Sequence, residues 1–206
     1  VVGWVDLCAG DLEQSLERWA QAPALRGFRH QLQDEPAPAD FMQNPAFNRG
    51  LNTLQRRGLV YEVLIKAADL PAATALCQQH DQHAMVLDHL GKPDVQANDL
   101  PTWARQLAPL AALPHVSCKL SGLITEAHWQ HWNSAQLTPY LDTALQLFGP
   151  ERLMFGSDWP VCLLASQYAD TCSLVDSALQ GLSAPQQAAV WGGNACAIYG
   201  IEGVKQ

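Results

Sequence analysis

The runs Leu153-Met154-Phe155-Gly156-Ser157-Asp158-Trp159-Pro160 and Met85-Val86-Leu87-Asp88-His89 each end in a polar residue that strands seldom carry. A buried apolar strand that delivers an Asp or a His at its carboxyl end, beside a Gly or Pro break, is how an α/β barrel builds an active site. Outward from these two runs the same pattern recurs. Strands are predicted over 1–7, 25–31, 59–65, 84–90, 116–120 and 152–158, each short, apolar and bounded by Gly, Pro or polar residues. Between them apolar residues fall on one helical face: Leu12, Leu16 and Trp19; Phe47, Leu51 and Leu54; Trp103, Leu107 and Leu110; Leu141, Leu145 and Phe148. Asn44, Asp69 and Thr138, each shortly before a proline, read as helix starts, and Gly58 and Gly149 as helix ends.

Six strand-helix units in succession imply parallel strands, which need crossover helices and are covered on both faces. An open doubly wound sheet would place a ligand at a switch point, whereas a closed barrel gathers every carboxyl end around one mouth. Polar residues stand at nearly every such end: Asp6, Arg29 with His30, Lys66, His89, Lys119 and Asp158. A shared mouth accounts for this better, and no Gly-x-Gly-x-x-Gly fingerprint follows a strand. The expected fold is therefore α/β, a TIM (β/α)8-barrel. Six units are two short of eight, 206 residues fall below the roughly 250 typical of the fold, and Val1 stands inside an apparent strand. The first two strand-helix units are accordingly expected to be missing from the chain. Residues 1–206 then read as a single (β/α) barrel domain with strands 3 to 8 visible.

Composition narrows the function. With 48% hydrophobic and 16% charged residues the chain can bury a substantial core. A formal charge of -8, with no run of Lys and Arg, argues against nucleic acid as a partner. No apolar stretch approaches the roughly 20 residues of a membrane helix, so no membrane partner is expected. Cys8, Cys77, Cys118, Cys162, Cys172 and Cys196 form no Cys-x-x-Cys pair and read as reduced residues of a soluble, cytoplasmic protein.

The ordered stretches Val2-Gly3-Trp4-Val5-Asp6-Leu7, Leu25-Arg26-Gly27-Phe28-Arg29-His30 with Gln33-Asp34-Glu35-Pro36, Val86-Leu87-Asp88-His89-Leu90-Gly91-Lys92-Pro93, Cys118-Lys119-Leu120-Ser121-Gly122, Met154-Phe155-Gly156-Ser157-Asp158-Trp159-Pro160-Val161 and Gly192-Gly193-Asn194-Ala195 leading to Tyr199-Gly200 span essentially the whole chain. Together they resemble the amidohydrolase superfamily. The likeness is closest to its amidohydrolase-related, metal-dependent TIM-barrel hydrolases, in the branch of sugar lactonases. The resemblance implies a hydrolase that opens the lactone ring of a sugar acid or a related small polyhydroxy acid. It makes Asp158 the general base that takes a proton from water, and His89 a ligand to one divalent metal, zinc first, or a donor to the scissile carbonyl. Asp158 is the second expected metal ligand. The family's His-x-His pair on its first strand has no match here, which leaves metal dependence open.

The remaining site residues follow from their chemistry. Lys119 ends a strand where an ammonium can stabilise an oxyanion, with a structural ion pair as the alternative. Successive strand residues face opposite sides, so one of Arg29 and His30 faces the mouth; His30 is the expected substrate contact, with Arg29 a plausible carboxylate or carbonyl clamp. Trp159 reads as an apolar wall beside a sugar ring or as packing beneath a loop. By the same alternation Asp88 is expected to point away from His89 and anchor structure. Tyr61 and Glu62 divide between the two faces in an order the sequence leaves open. Asn194 reads as a helix cap, and His80, His83, His115, His128 and His131 as solvated surface. A metal-dependent decarboxylase of the same superfamily and a noncatalytic truncated barrel are the rivals, and a homo-oligomer is compatible with either.

Overall fold

The computed structural model of the chain describes residues 1–201. Strands β1 (Val2–Gly3), β2 (Gly27–His30), β3 (Val60–Val63), β4 (Met85–Leu87), β5 (Val116–Leu120) and β6 (Leu153–Phe155) form one sheet, all parallel and in chain order. The crossovers carry α1 (Leu12–Trp19), α2 (Pro38–Met42), α3 (Pro45–Arg56), α4 (Leu70–Gln79), α5 (Leu100–Ala111) and α6 (Ser134–Phe148). After β6 come α7 (Tyr168–Leu179), α8 (Ala184–Ala188) and α9 (Asn194–Ile198).

Each expected strand is present, and most are shorter at the carboxyl end. The run expected over 84–90 stops at Leu87 because His89 and Leu90 turn into the left-handed region, with φ of 53° and 57°. The run over 152–158 stops at Phe155, and Asp158 has φ of 55°. His89 and Asp158, both expected at the site, thus stand on turns just beyond the strands.

Register decides which face each strand residue takes. Arg29 lies opposite Glu62, Glu62 opposite Val86, and Lys119 opposite Met154, and laterally paired residues of a sheet point the same way. The alternate set, including Phe28, Tyr61, Leu87, Cys118 and Leu153, joins the main core beneath the helices. On the other face Val60, Val86 and Met154 form a small separate cluster, covered by Ala195, Ile198 and Tyr199. The last helix therefore sits against the inner face of the sheet, the side that carries Arg29, Glu62 and Lys119.

Helix starts follow local chemistry with two corrections. Asn44 accepts from the Ala46 N–H at 2.8 Å, a cap worth about 1 kcal/mol. Thr138 is no start: α6 begins at Ser134, Asn133 accepts from the Gln136 N–H at 3.0 Å, and Thr138 bonds the Ser134 carbonyl within the helix. Asn194 caps nothing either. Its amide donates to the Pro150 and Leu153 carbonyls, both at 2.7 Å, and so ties α9 to the entry of β6.

His80 is likewise no surface residue. It is buried, with Nε2 2.7 Å from Asn48 Oδ1, and Asn48 Nδ2 donates to the Met42 and Asn44 carbonyls. That fixes the amide's orientation, so Nε2 carries the hydrogen, and burial holds the imidazole pKa below its ordinary 6.5. The six cysteines are free thiols; Cys77, fully buried, is pushed up to about 12 by desolvation. Among the described residues no helix is long and apolar enough to cross a membrane.

Candidate active site

A cavity of about 480 Å³ opens on the inner face of the sheet, lined among others by Arg29, Glu62, His89, Lys119, Asp158 and Trp159. That volume suits a small molecule. Five of the six residues expected at the site therefore share one wall: Asp158, His89, Lys119, Arg29 and Trp159. Trp159 is 65% exposed at its rim. His30 is the exception. It faces the helices, stacked on Phe41 with ring centroids 4.7 Å apart and bonded through Nε2 to Glu35 at 2.7 Å. The alternation of β2 holds, but its phase is the reverse of the expected one, because Arg29 must match Glu62 across the sheet; His30 is withdrawn as a substrate contact. Asp6, another expected mouth residue, accepts from the Cys8 N–H in a local turn.

Two residues that sequence reasoning placed elsewhere or left unplaced complete the wall. Lys119 Nζ lies 2.6 Å from Glu62 Oε1 and 2.7 Å from Asp88 Oδ1. Arg29 Nη1 donates to Asp88 Oδ2 at 3.0 Å and lies 3.4 Å from Glu62 Oε2. Two cations and two carboxylates thus alternate in a ring. The carboxylates are buried, Glu62 at 2% and Asp88 at 0%, while the side chains of Lys119 (19%) and Arg29 (37%) keep access to the cavity. The ring is neutral overall, with its positive members the more exposed to the cavity. Asp88 points inward rather than away because it lies two residues beyond the inward Val86, and the left-handed turn after it brings His89 to the cavity too. A signal for Glu62 existed in the sequence: a carboxylate within Val60-Tyr61-Glu62-Val63 has to be partnered if it is buried.

His89 and Asp158 meet at the mouth, with Nε2 3.7 Å from Oδ1. The Nδ1 atom lies 2.8 Å from the Ser121 hydroxyl, and with that hydroxyl donating, Nε2 carries the hydrogen. Burial holds the His89 pKa down to about 4; Asp158 opposes this, while Lys92, Lys119 and Arg29 add to it. The imidazole is neutral near pH 7, a hydrogen-bond donor rather than a cation. Left-handed backbone at a non-glycine residue costs of order 1–3 kcal/mol, and His89, Leu90, Lys92 and Asp158 all adopt it. Their carbonyls are held: His89 O accepts from the Lys92 N–H, Leu90 O from Trp103 Nε1 and Asp158 O from the Cys162 N–H. The surrounding bonds over-determine a conformation that aims the His89 and Asp158 side chains into the cavity.

Gly122 forms the other side of the His89 seat. A Cβ there would stand 2.9 Å from His89 Cγ and Nδ1, and φ is +65°. Gly122→Ala should lower the melting temperature by roughly 2–8 °C, since a left-handed Ala costs about 1–2 kcal/mol, and should shift the His89 imidazole resonances in an NMR spectrum. An imidazole signal identical to wild type would show that Gly122 does not seat the ring.

A catalytic zinc takes three protein ligands and leaves one position open. His89 and Asp158, the two residues expected to hold a metal, come together, but among the described residues no group of three His, Cys, Asp or Glu converges. Glu62 and Asp88 are committed to Lys119 and Arg29. The described residues therefore do not form a zinc site by themselves.

The chain is similar to known proteins over nearly its whole length. A family model described as amidohydrolase matches residues 1–201. An L-fucono-1,5-lactonase of Burkholderia multivorans is 48% identical over 98% of this chain and 71% of its own length, and one of Burkholderia ambifaria is 35% identical over 98% and 70%. A crystal structure of an amidohydrolase from Burkholderia multivorans with bound zinc superposes with a TM-score of 0.95 at 47% identity, covering 98% of this chain and 73% of that one.

Proposed function

Since this chain belongs to the amidohydrolase family, we propose that it is a hydrolase of sugar lactones, with Asp158 as general base. The observation that carries the proposal is the meeting of the Asp158 carboxylate, the neutral His89 imidazole and the cationic edge of the Lys119–Arg29 ring on one cavity wall. The relatives that act on L-fucono-1,5-lactone support the substrate class.

Asp158 takes a proton from water as the hydroxide oxygen bonds to the lactone carbonyl carbon. The carbonyl π pair moves to its oxygen, where the His89 Nε2–H, Lys119 and Arg29 donate to the developing negative charge. The tetrahedral intermediate collapses, the ring C–O bond breaks, and Asp158 returns its proton to the departing ring oxygen. One lactone and one water give one hydroxy acid, which then releases a proton to solution. Trp159 lies beside the sugar ring as an apolar wall. Zinc, expected from the family resemblance, supplies Lewis acidity where it is bound; none of the steps above runs through it.

Proton release from L-fucono-1,5-lactone and its stereoisomeric aldonolactones tests the proposal. Release well above the spontaneous rate for at least one lactone is expected. Spontaneous rates throughout, or CO2 release from a hydroxybenzoate in their place, would overturn it. Repeating the assay after chelation reads whether a divalent ion takes part.

A further inference from the structure

Neither Glu62 nor Tyr199 touches the reacting atoms in the steps above, yet both are built into the wall. Glu62 Oε1 accepts from the Tyr199 hydroxyl at 2.5 Å and lies 2.6 Å from Lys119 Nζ. Tyr199 follows α9 directly, packs against Val60, Val86 and Met154, and has its ring centroid 6.0 Å from Lys119 Nζ. A lysine ammonium on a four-carbon stem has about 2 kcal/mol of rotamer freedom and three rotatable donors, so at the edge of a cavity it holds one position only if something fixes it. Two carboxylates flank it. Asp88 shares its oxygens between Lys119 and Arg29. Among the described residues it is Glu62, and not Asp88, that is anchored from outside the ring, by the phenol.

We propose that Tyr199 and Glu62 form a positioning pair that fixes Lys119 at the cavity wall, so that the helix closing the inner face of the sheet helps to set the oxyanion site. The inference rests on the lactonase reading and on Lys119 as a donor to the oxyanion. The phenol remains a donor across the working pH range, because burial and the Glu62 charge both push its pKa above the ordinary 10. Asp88 adds to that rise, and Arg29 works against it.

The test is a double-mutant cycle on L-fucono-1,5-lactone with Tyr199→Phe, which removes one oxygen atom, and Lys119→Met. Tyr199→Phe should lower kcat about 10-fold, on the scale of a modest misplacement of a catalytic group, with KM changed less than about twofold. In the Lys119→Met background the same substitution should change kcat no further. Equal losses in both backgrounds, a change in KM alone, or a lower melting temperature with unchanged kcat would each overturn the pairing. An activity-free measurement separates this from failure of the lactonase reading. In protein labelled at lysine 13Cε, the two Hε signals of Lys119 should be inequivalent in the wild type and merge in Tyr199→Phe. If no lactone is opened but those signals respond, the reading falls and the positioning stands; if they do not respond, the positioning falls whatever the activity.

Discussion

Replacing Asp158 with Asn should lower kcat/KM for lactone opening by about 100-fold or more, the usual scale of general acid-base catalysis. The substitution is a clean one for a physical reason. Asp158 has φ of 55°, and Asn is among the few residues that adopt that backbone readily. The Asp158 carbonyl, which accepts from the Cys162 N–H at 2.9 Å, is unaffected. The amide has nearly the carboxylate's shape but cannot take a proton from water. The melting temperature should therefore stay near that of the wild type while turnover collapses. A variant that opens lactones as fast as the wild type would remove Asp158 as the base and leave the oxyanion donors to explain catalysis alone.

Asp88→Ala should cost about 3 kcal/mol of stability, the lower end of the range for removing one partner of a buried ion pair. The lower end applies because the two cations it neutralises, Lys119 and Arg29, keep contact with the cavity. For a chain of this length the melting temperature should fall by roughly 6–12 °C. The physical source is the loss of half the negative charge of the ring: Glu62 alone would face two cations. Asp88→Asn, which keeps the shape and one acceptor oxygen, should lose less. Equal stability of Asp88→Ala and wild type would show that the ring contributes nothing to folding and that Glu62 carries both cations unaided.

The two ring carboxylates mark the limit of what sequence reading could reach. Asp88 stands next to His89, and strict alternation sends neighbouring strand residues to opposite faces; that argument placed Asp88 outside the site. It fails because the strand has ended at Leu87 and left-handed turns follow. His30 and Arg29 show the same limit from the other side. Their alternation was legible, but nothing local distinguishes a histidine aimed at the cavity from one stacked on Phe41. The lateral match of Arg29 to Glu62, from a strand 33 residues further on, makes that choice. His80 was read as surface because its partners, Asn48 and Asn52, come from α3, a separate helix.

Local pattern by itself determined the six parallel strands, the helices between them, and the placement of Asp158, His89 and Lys119 beyond or at strand ends. Those properties depend on hydrophobic period, on Gly and Pro breaks and on residue type, all of which act over a few residues. Tertiary structure alone decided the phase of each strand, the closure of Arg29, Glu62, Lys119 and Asp88 into a neutral ring, and the reach of Tyr199 from the last helix to Glu62. These depend on register between strands far apart in the chain and on the desolvation of charge. A buried carboxylate is stable only where oppositely charged partners arrive from other strands, and no single segment contains both.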